Sequence, residues 1–136
     1  MPATSEFYAE LIERQKKTSL LGSCSAVLGW DEQVNLPPAG GEHRAGQLAL
    51  LAGMAHEQAT HPRIGELLSE LEAADDLGDE GSTAQINVKH ARRYYDRDTK
   101  LPQQLVKELS RVTTLSQQAW VEARKNSDYS AFEPWL

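Results

Sequence analysis

The stretch LPQQLVKELSRVTTLSQQAWVEARK, residues 101–125, decides the fold class. Within it Leu105, Leu109, Val112, Ser116, Ala119, Trp120 and Ala123 recur at steps of three and four, which gathers them on one face of a 3.6-residue helix. No period-two alternation competes with that reading. Pro102 suits the first helical position, where a missing N–H breaks no bond. The spacing predicts a helix to about Lys125.

Upstream, Ser82-Thr-Ala-Gln85 has the form of a capping box and predicts a helix with Ala84, Val88, Ala91 and Tyr95 inward. Before it, Asp75–Gly81 is acidic and glycine-bearing, and reads as a loop. Ile64, Leu67, Leu68 and Leu71 follow the i, i+3, i+4, i+7 pattern of a short helix. Pro62 separates that helix from one running from about Glu42 to Thr60, because the residue before proline is driven out of the α region. Two prolines and two glycines predict a loop over Trp30–Gly41. The first helix is expected from a Thr4 or Ser5 cap to about Leu28, with Gly22 and Gly29 admitting a close neighbour. Downstream, Asp128–Leu136 reads as the opening of a sixth helix. Ser130 and Glu133 suit its first turn, with Pro134 unsettling the register. A helix begun so near the last residue is what a piece of something longer would show.

The expectation is an all-α antiparallel array of about five to six helices, forming one helical region over residues 1–136. A chain of this length buries roughly two thirds of the surface its unfolded form exposes. The net charge of −6 disfavours nucleic acid or an anionic membrane as partner, since both reward a positive field. No stretch approaches the roughly 20 apolar residues of a membrane span, and the first residues carry no signal-peptide pattern. A single cysteine, Cys24, rules out an internal disulfide and fits a cytoplasmic chain.

Residues 56–61, HEQATH, resemble the zinc signature H-E-x-x-H with one residue too many. In the true motif the histidines lie four apart, about 40° around the helix, and share one metal. His56 and His61 lie five apart, about 140° around, and Pro62 ends the helix at that point. The reading is a polar helix end, where histidine complements the dipole. His43 and His90 are read as capping or solvated, and Lys89, Arg92, Arg93 and Arg97 with Tyr94 and Tyr95 as a solvated face. Cys24 is read as a packed thiol. A third reading, a metal site from His56, His61 and His90, predicts zinc retained through dialysis.

Two longer stretches say more. Residues 25–57, SAVLGWDEQVNLPPAGGEHRAGQLALLAGMAHE, and residues 100–132 resemble the N-terminal part of the carboxypeptidase Taq family. Trp30-Asp31, the Pro37-Pro38-Ala-Gly-Gly loop, Arg44-Ala45 and the segment from Trp120 to Phe132 carry the likeness. The resemblance implies a mostly helical, cytoplasmic, metal-dependent exopeptidase that removes C-terminal residues from peptides, usually as a homodimer. It places the zinc (or cobalt) on an H-E-x-x-H helix and a later glutamate, much further along a longer chain. There the metal would polarise the scissile carbonyl and activate water. No catalytic, metal-binding or cofactor-binding residue is carried onto this chain. What is carried over is structural: helices forming one wall or lid of a substrate groove. Silence alone is the expectation, with self-association through faces such as those of Trp120 and Trp135. The alternative is a free-standing helical interaction module without catalysis.

Overall fold

Where the sequence has no strong breaker the chain is helical. The computed structural model describes residues 3–136, and no strand occurs among the described residues. Helix α1 spans Thr4–Val34, α2 Gly41–Ala59, α3 Pro62–Ala73, α4 Thr83–Asp98 and α5 Gln103–Asn126. Short 3-10 turns occupy Pro38–Gly40, Tyr129–Ala131 and Glu133–Trp135.

Several local expectations need correcting. The loop anticipated from Trp30 begins later, because α1 continues through Trp30–Val34. Nothing before Leu36-Pro37 forbids the α region, and the Asn35 and Leu36 N–H groups both donate to the Asp31 carbonyl to close the last turn. Gly22 and Gly29 admit no neighbour: a Cβ at either would meet nothing within 4 Å. They lower helix propensity without a packing return. Thr4 is already helical, its hydroxyl donating to Asp76 at 2.5 Å, while Glu6 accepts from the Ala3 N–H at 3.2 Å. Only half of the capping box forms. Ser82 accepts from the Gln85 N–H at 3.4 Å, but the Gln85 amide donates to the Gly78 carbonyl instead of reaching back. Gly78 and Gly81 sit at φ +116° and +79°, backbone that only glycine adopts freely, and so the acidic stretch turns there.

No sixth α-helix forms. α5 ends with Ser127 at φ 54°, the Asp128 N–H bonded to Ala123 O and the Ser127 N–H to Arg124 O. This is a Schellman stop with serine in the left-handed position usually held by glycine. The two 3-10 turns follow, the second containing Pro134, which has no N–H to continue a ladder.

The chain forms two compact units. Unit 1 comprises the described residues up to Leu20 with Ala55–Pro102. Its core is Leu11, Ile64, Leu67, Leu68, Leu71, Val88 and Ala91, with Phe7, Tyr8, Leu77 and Tyr95 packed against it. Leu11, Leu67, Leu68 and Leu71 are fully buried. At about 1.5–3 kcal/mol each relative to exposure, they dominate this unit. Polar pairs tie its rim. Arg63 donates to both Glu10 oxygens, with Nη2 to Oε2 at 2.8 Å, and Arg92 donates to both Glu72 oxygens. Asn87 donates to the Tyr8 hydroxyl at 2.8 Å.

Unit 2 comprises Leu21–Met54 and Gln103–Leu136. Its buried residues are mostly small or polar: Gly41, Arg44, Ala45, Gly53, Thr114 and Ala123, with Leu115 the largest apolar one. Val27, Trp30 and Val34 on α1, Leu50 on α2, and Leu105, Leu109 and Trp120 on α5 all stand exposed. The face of α5 that the spacing gathers is mixed, with Leu105, Leu109 and Trp120 exposed and Leu109 63% so. Only Ala123 of that face is buried, with Val112, Ser116 and Ala119 half-buried. The opposite, polar side of α5 meets the glycines of α2. The Gln103 amide donates to Gly53 O at 3.0 Å, and a Cβ on Gly53 would strike the Lys107 chain. Glycine lets those long side chains lie against backbone, which decides which way α5 faces.

Candidate functional site

The two histidines of HEQATH hold separate structural positions. His56, in the last turn of α2, places Nε2 3.0 Å from the Asp98 carbonyl at the end of α4. Since a carbonyl only accepts, that nitrogen donates, and it satisfies one of the free carbonyls at a helix C-terminus. His61 caps α3 from the other side, its Nδ1 accepting the Arg63 N–H at 3.1 Å. His90 stacks on Tyr94 with ring centroids 6.5 Å apart, and Arg97 lies 5.1 Å above the same tyrosine. Cys24 is exposed on α1, not packed, because its side of the helix has no covering element. A zinc ion asks for three or more N, O or S donors converging at about 2.0–2.3 Å. Among the described residues no group of three or more His, Cys, Asp or Glu is placed to hold a metal ion. The residues present do not fit the metal centre that the resemblance places further along a longer chain.

The motifs that carry the likeness do converge, in unit 2. Arg44 rises from the first turns of α2, and its side chain is 9% exposed. Its Nη2 lies 2.5 Å from the Asp31 carboxylate, Nη1 donates to Leu28 O, and Nε donates to Gln47 at 3.0 Å. A buried guanidinium is tolerated when its donors are met in this way. The Arg44 hydrogen bond is the main reason the Asp31 carboxyl sits below the usual carboxylate range, with burial opposing it and the Asn35 amide assisting. Next to Asp31, Glu32 accepts from the Gln118 amide of α5 at 3.2 Å. Gly41 gives that amide its room, for a Cβ there would collide with it. Thus Asp31-Glu32, the Pro37–Gly41 turn, Arg44 and the Gln118–Glu122 stretch of α5 lie near one another, beside a cavity of about 530 Å³ lined in part by Leu36, Pro37, Pro38 and Val121, while Trp30 stands exposed.

The spacing missed Arg44 and Gln118 as the joints of this neighbourhood. Arg44 had a legible signal: it stands four residues before Leu48 and seven before Leu51, a lone charge on an otherwise apolar stripe. Gln118 had none.

The helical fold matches solved structures. It superposes on a structure described as "BsuCP Crystal Structure" with a TM-score of 0.88 at 27% identity, covering 96% of this chain and 26% of that one. A second, "The Structure of CHT", gives a TM-score of 0.68 at 37% identity over the same shares. The family model for the carboxypeptidase Taq (M32) metallopeptidases matches residues 10–136, and the chain belongs to that family. It is 38% identical over 129 residues to "Thermostable carboxypeptidase 1" of Thermus thermophilus, covering 95% of this chain and 25% of the relative. The protein of the same name from Pyrococcus furiosus is 28% identical over 136 residues, with 97% of this chain and 26% of the relative covered. The chain thus spans about a quarter of the length of the curated relatives it matches.

Proposed function

We propose that this chain is the N-terminal helical region of a metallocarboxypeptidase whose metal and catalytic groups lie outside these residues. The observation that carries the reading is a pairing: the family match runs over residues 10–136, while no metal-holding group occurs among the described residues. The relatives' names support peptides as the substrate class, with release of C-terminal residues as the reaction. Zinc or cobalt would be held by the rest of the polypeptide, in a cytoplasmic and homodimeric enzyme. The helices described here serve as one wall of the substrate groove, and no helix among them is long and apolar enough to cross a membrane.

On this reading the 136 residues alone are catalytically silent. The test is an assay of the purified chain on short peptides with added zinc or cobalt. No release of C-terminal residues is the expected result. Metal-dependent release, abolished by a chelator, would overturn it.

A further inference from the structure

Helix α5 leaves part of its apolar face uncovered. Half-buried Gln103 and Lys107 lie against α2 and Gln118 against Glu32, beside buried Thr114 and Leu115, while Leu105, Leu109 and Trp120 face outward. Leu105 and Leu109 are neighbours at i, i+4, and Trp120 lies on the same side of the axis about three turns further on, with half-buried Val112 and Ser116 between. An amphipathic helix ordinarily turns its apolar stripe to a core. Here the polar side is held inward by specific hydrogen bonds, so a rotation that buried the leucines would orphan those groups.

Exposed apolar side chains gathered along one side of a helix mark a contact surface, and the surroundings select its occupant. The charges beside the stripe neutralise one another, Arg111 pairing with Glu108 at 3.2 Å, so no basic rim invites an anionic membrane. This fold recurs as 26% of a solved carboxypeptidase chain, at a TM-score of 0.88, and three-quarters of such a chain is therefore available to cover what is open here. We propose that the Leu105–Leu109–Trp120 face of α5 is the seat on which polypeptide from the remaining three-quarters of an M32 carboxypeptidase packs. The proposal rests on the reading above and adds the surface through which the two parts join.

The experiment compares one double substitution, Leu105→Asp with Leu109→Asp, in two settings. The first is the 136-residue chain. The second is that chain fused to the part of the Thermus thermophilus enzyme that follows its matched quarter. The substitution should leave the thermal midpoint of the free chain within about 2 °C and reduce its binding of an apolar dye. It should lower the midpoint of the fusion by about 10 °C or more, the scale set by losing buried leucines. Ile86→Asp, at an exposed site in unit 1, is the control and should do little in either. If the fusion does not fold, Gln103–Asn126 is grafted into the matched position of the Thermus enzyme and the same comparison is made there. Equal small shifts in both settings would overturn the proposal. So would a large shift in the free chain accompanied by dissociation of a dimer, which would assign the face to a second copy. A fusion that is sensitive to the substitution yet releases no C-terminal residues would leave the docking face standing and sink the functional reading. An active but insensitive fusion would do the reverse.

Discussion

Units 1 and 2 are cut from the same two long helices, since α1 and α2 each contribute to both, yet they bury opposite chemistries. Unit 1 gathers leucine, isoleucine and valine into an ordinary apolar core. Unit 2 joins its helices through a guanidinium, amides and two glycines, buries one large apolar side chain, Leu115, and leaves Val27, Trp30, Leu50, Leu105, Leu109 and Trp120 exposed. The difference teaches that a helix can be well formed in a fold whose apolar stripe it does not use. Hydrogen bonds between neighbours set the rotation of α5, and the stripe is left to whatever else covers it.

The sharpest way to break this contrast is to truncate one leucine in each unit. Leu67→Ala, at a fully buried site, should cost about 2–5 kcal/mol in urea unfolding, whereas Leu109→Ala should stay within about 0.5 kcal/mol. Comparable losses would erase the distinction. Next in size, Arg44→Ala should cost about 2 kcal/mol by stripping the Leu28 carbonyl and Asp31 of their donor. Arg44→Lys should recover only part of that, since one ammonium cannot span both acceptors and Gln47 in the same geometry.

Glycines sharpen the comparison at a smaller scale. A Cβ on Gly65 would sit 2.8 Å from the Tyr95 hydroxyl and 3.0 Å from its ring, so Gly65→Ala should cost about 1 kcal/mol despite better helix propensity. Gly22→Ala and Gly29→Ala meet open space and should each stabilise by about 0.5–1 kcal/mol, read as a higher thermal midpoint. The smallest effect concerns acid. The Arg63 hydrogen bond, with Arg14 assisting and burial opposing, holds Glu10 down at about 2 against an ordinary 4.5. A depressed carboxyl stabilises the fold fully above its unfolded value, and that contribution is lost as pH falls from about 4.5 toward about 2. Glu10→Gln should therefore flatten the decline in urea midpoint between about pH 5 and pH 3 without steepening it elsewhere.

The periodic spacing of apolar residues was legible in two senses that came apart. In α3 it marked Ile64, Leu67, Leu68 and Leu71, and all four are buried. In α5 the same rule found the helix and one apolar face, whose Leu105, Leu109 and Trp120 stand exposed. Periodicity reports that a face is apolar, not what lies opposite, and the deciding groups, Gly41 and Gly53, are far away in sequence. The loop read from Trp30 onward failed because prolines act locally: Pro37 constrains Leu36, and the five residues before Asn35 remain free to be helical. Ser127 carried no signal at all, since a left-handed stop is normally announced by glycine. In HEQATH the spacing and Pro62 argued for a helix end, and the partner of His56 is a carbonyl 42 residues away that no local pattern names.

The division of the chain has a further consequence for how it is made. Residues up to Leu20 belong with Ala55–Pro102, while Leu21–Met54 between them belongs with Gln103–Leu136. No uninterrupted length of polypeptide contains one unit without part of the other. On a ribosome adding about 5–20 residues per second, Leu11 waits on the order of seconds for Leu67, Leu68 and Leu71 to emerge. The latter part of α1 has by then been synthesised and is waiting for α5. Neither unit can be excised with two cuts, and a gene break anywhere between Leu21 and Met54 would divide both.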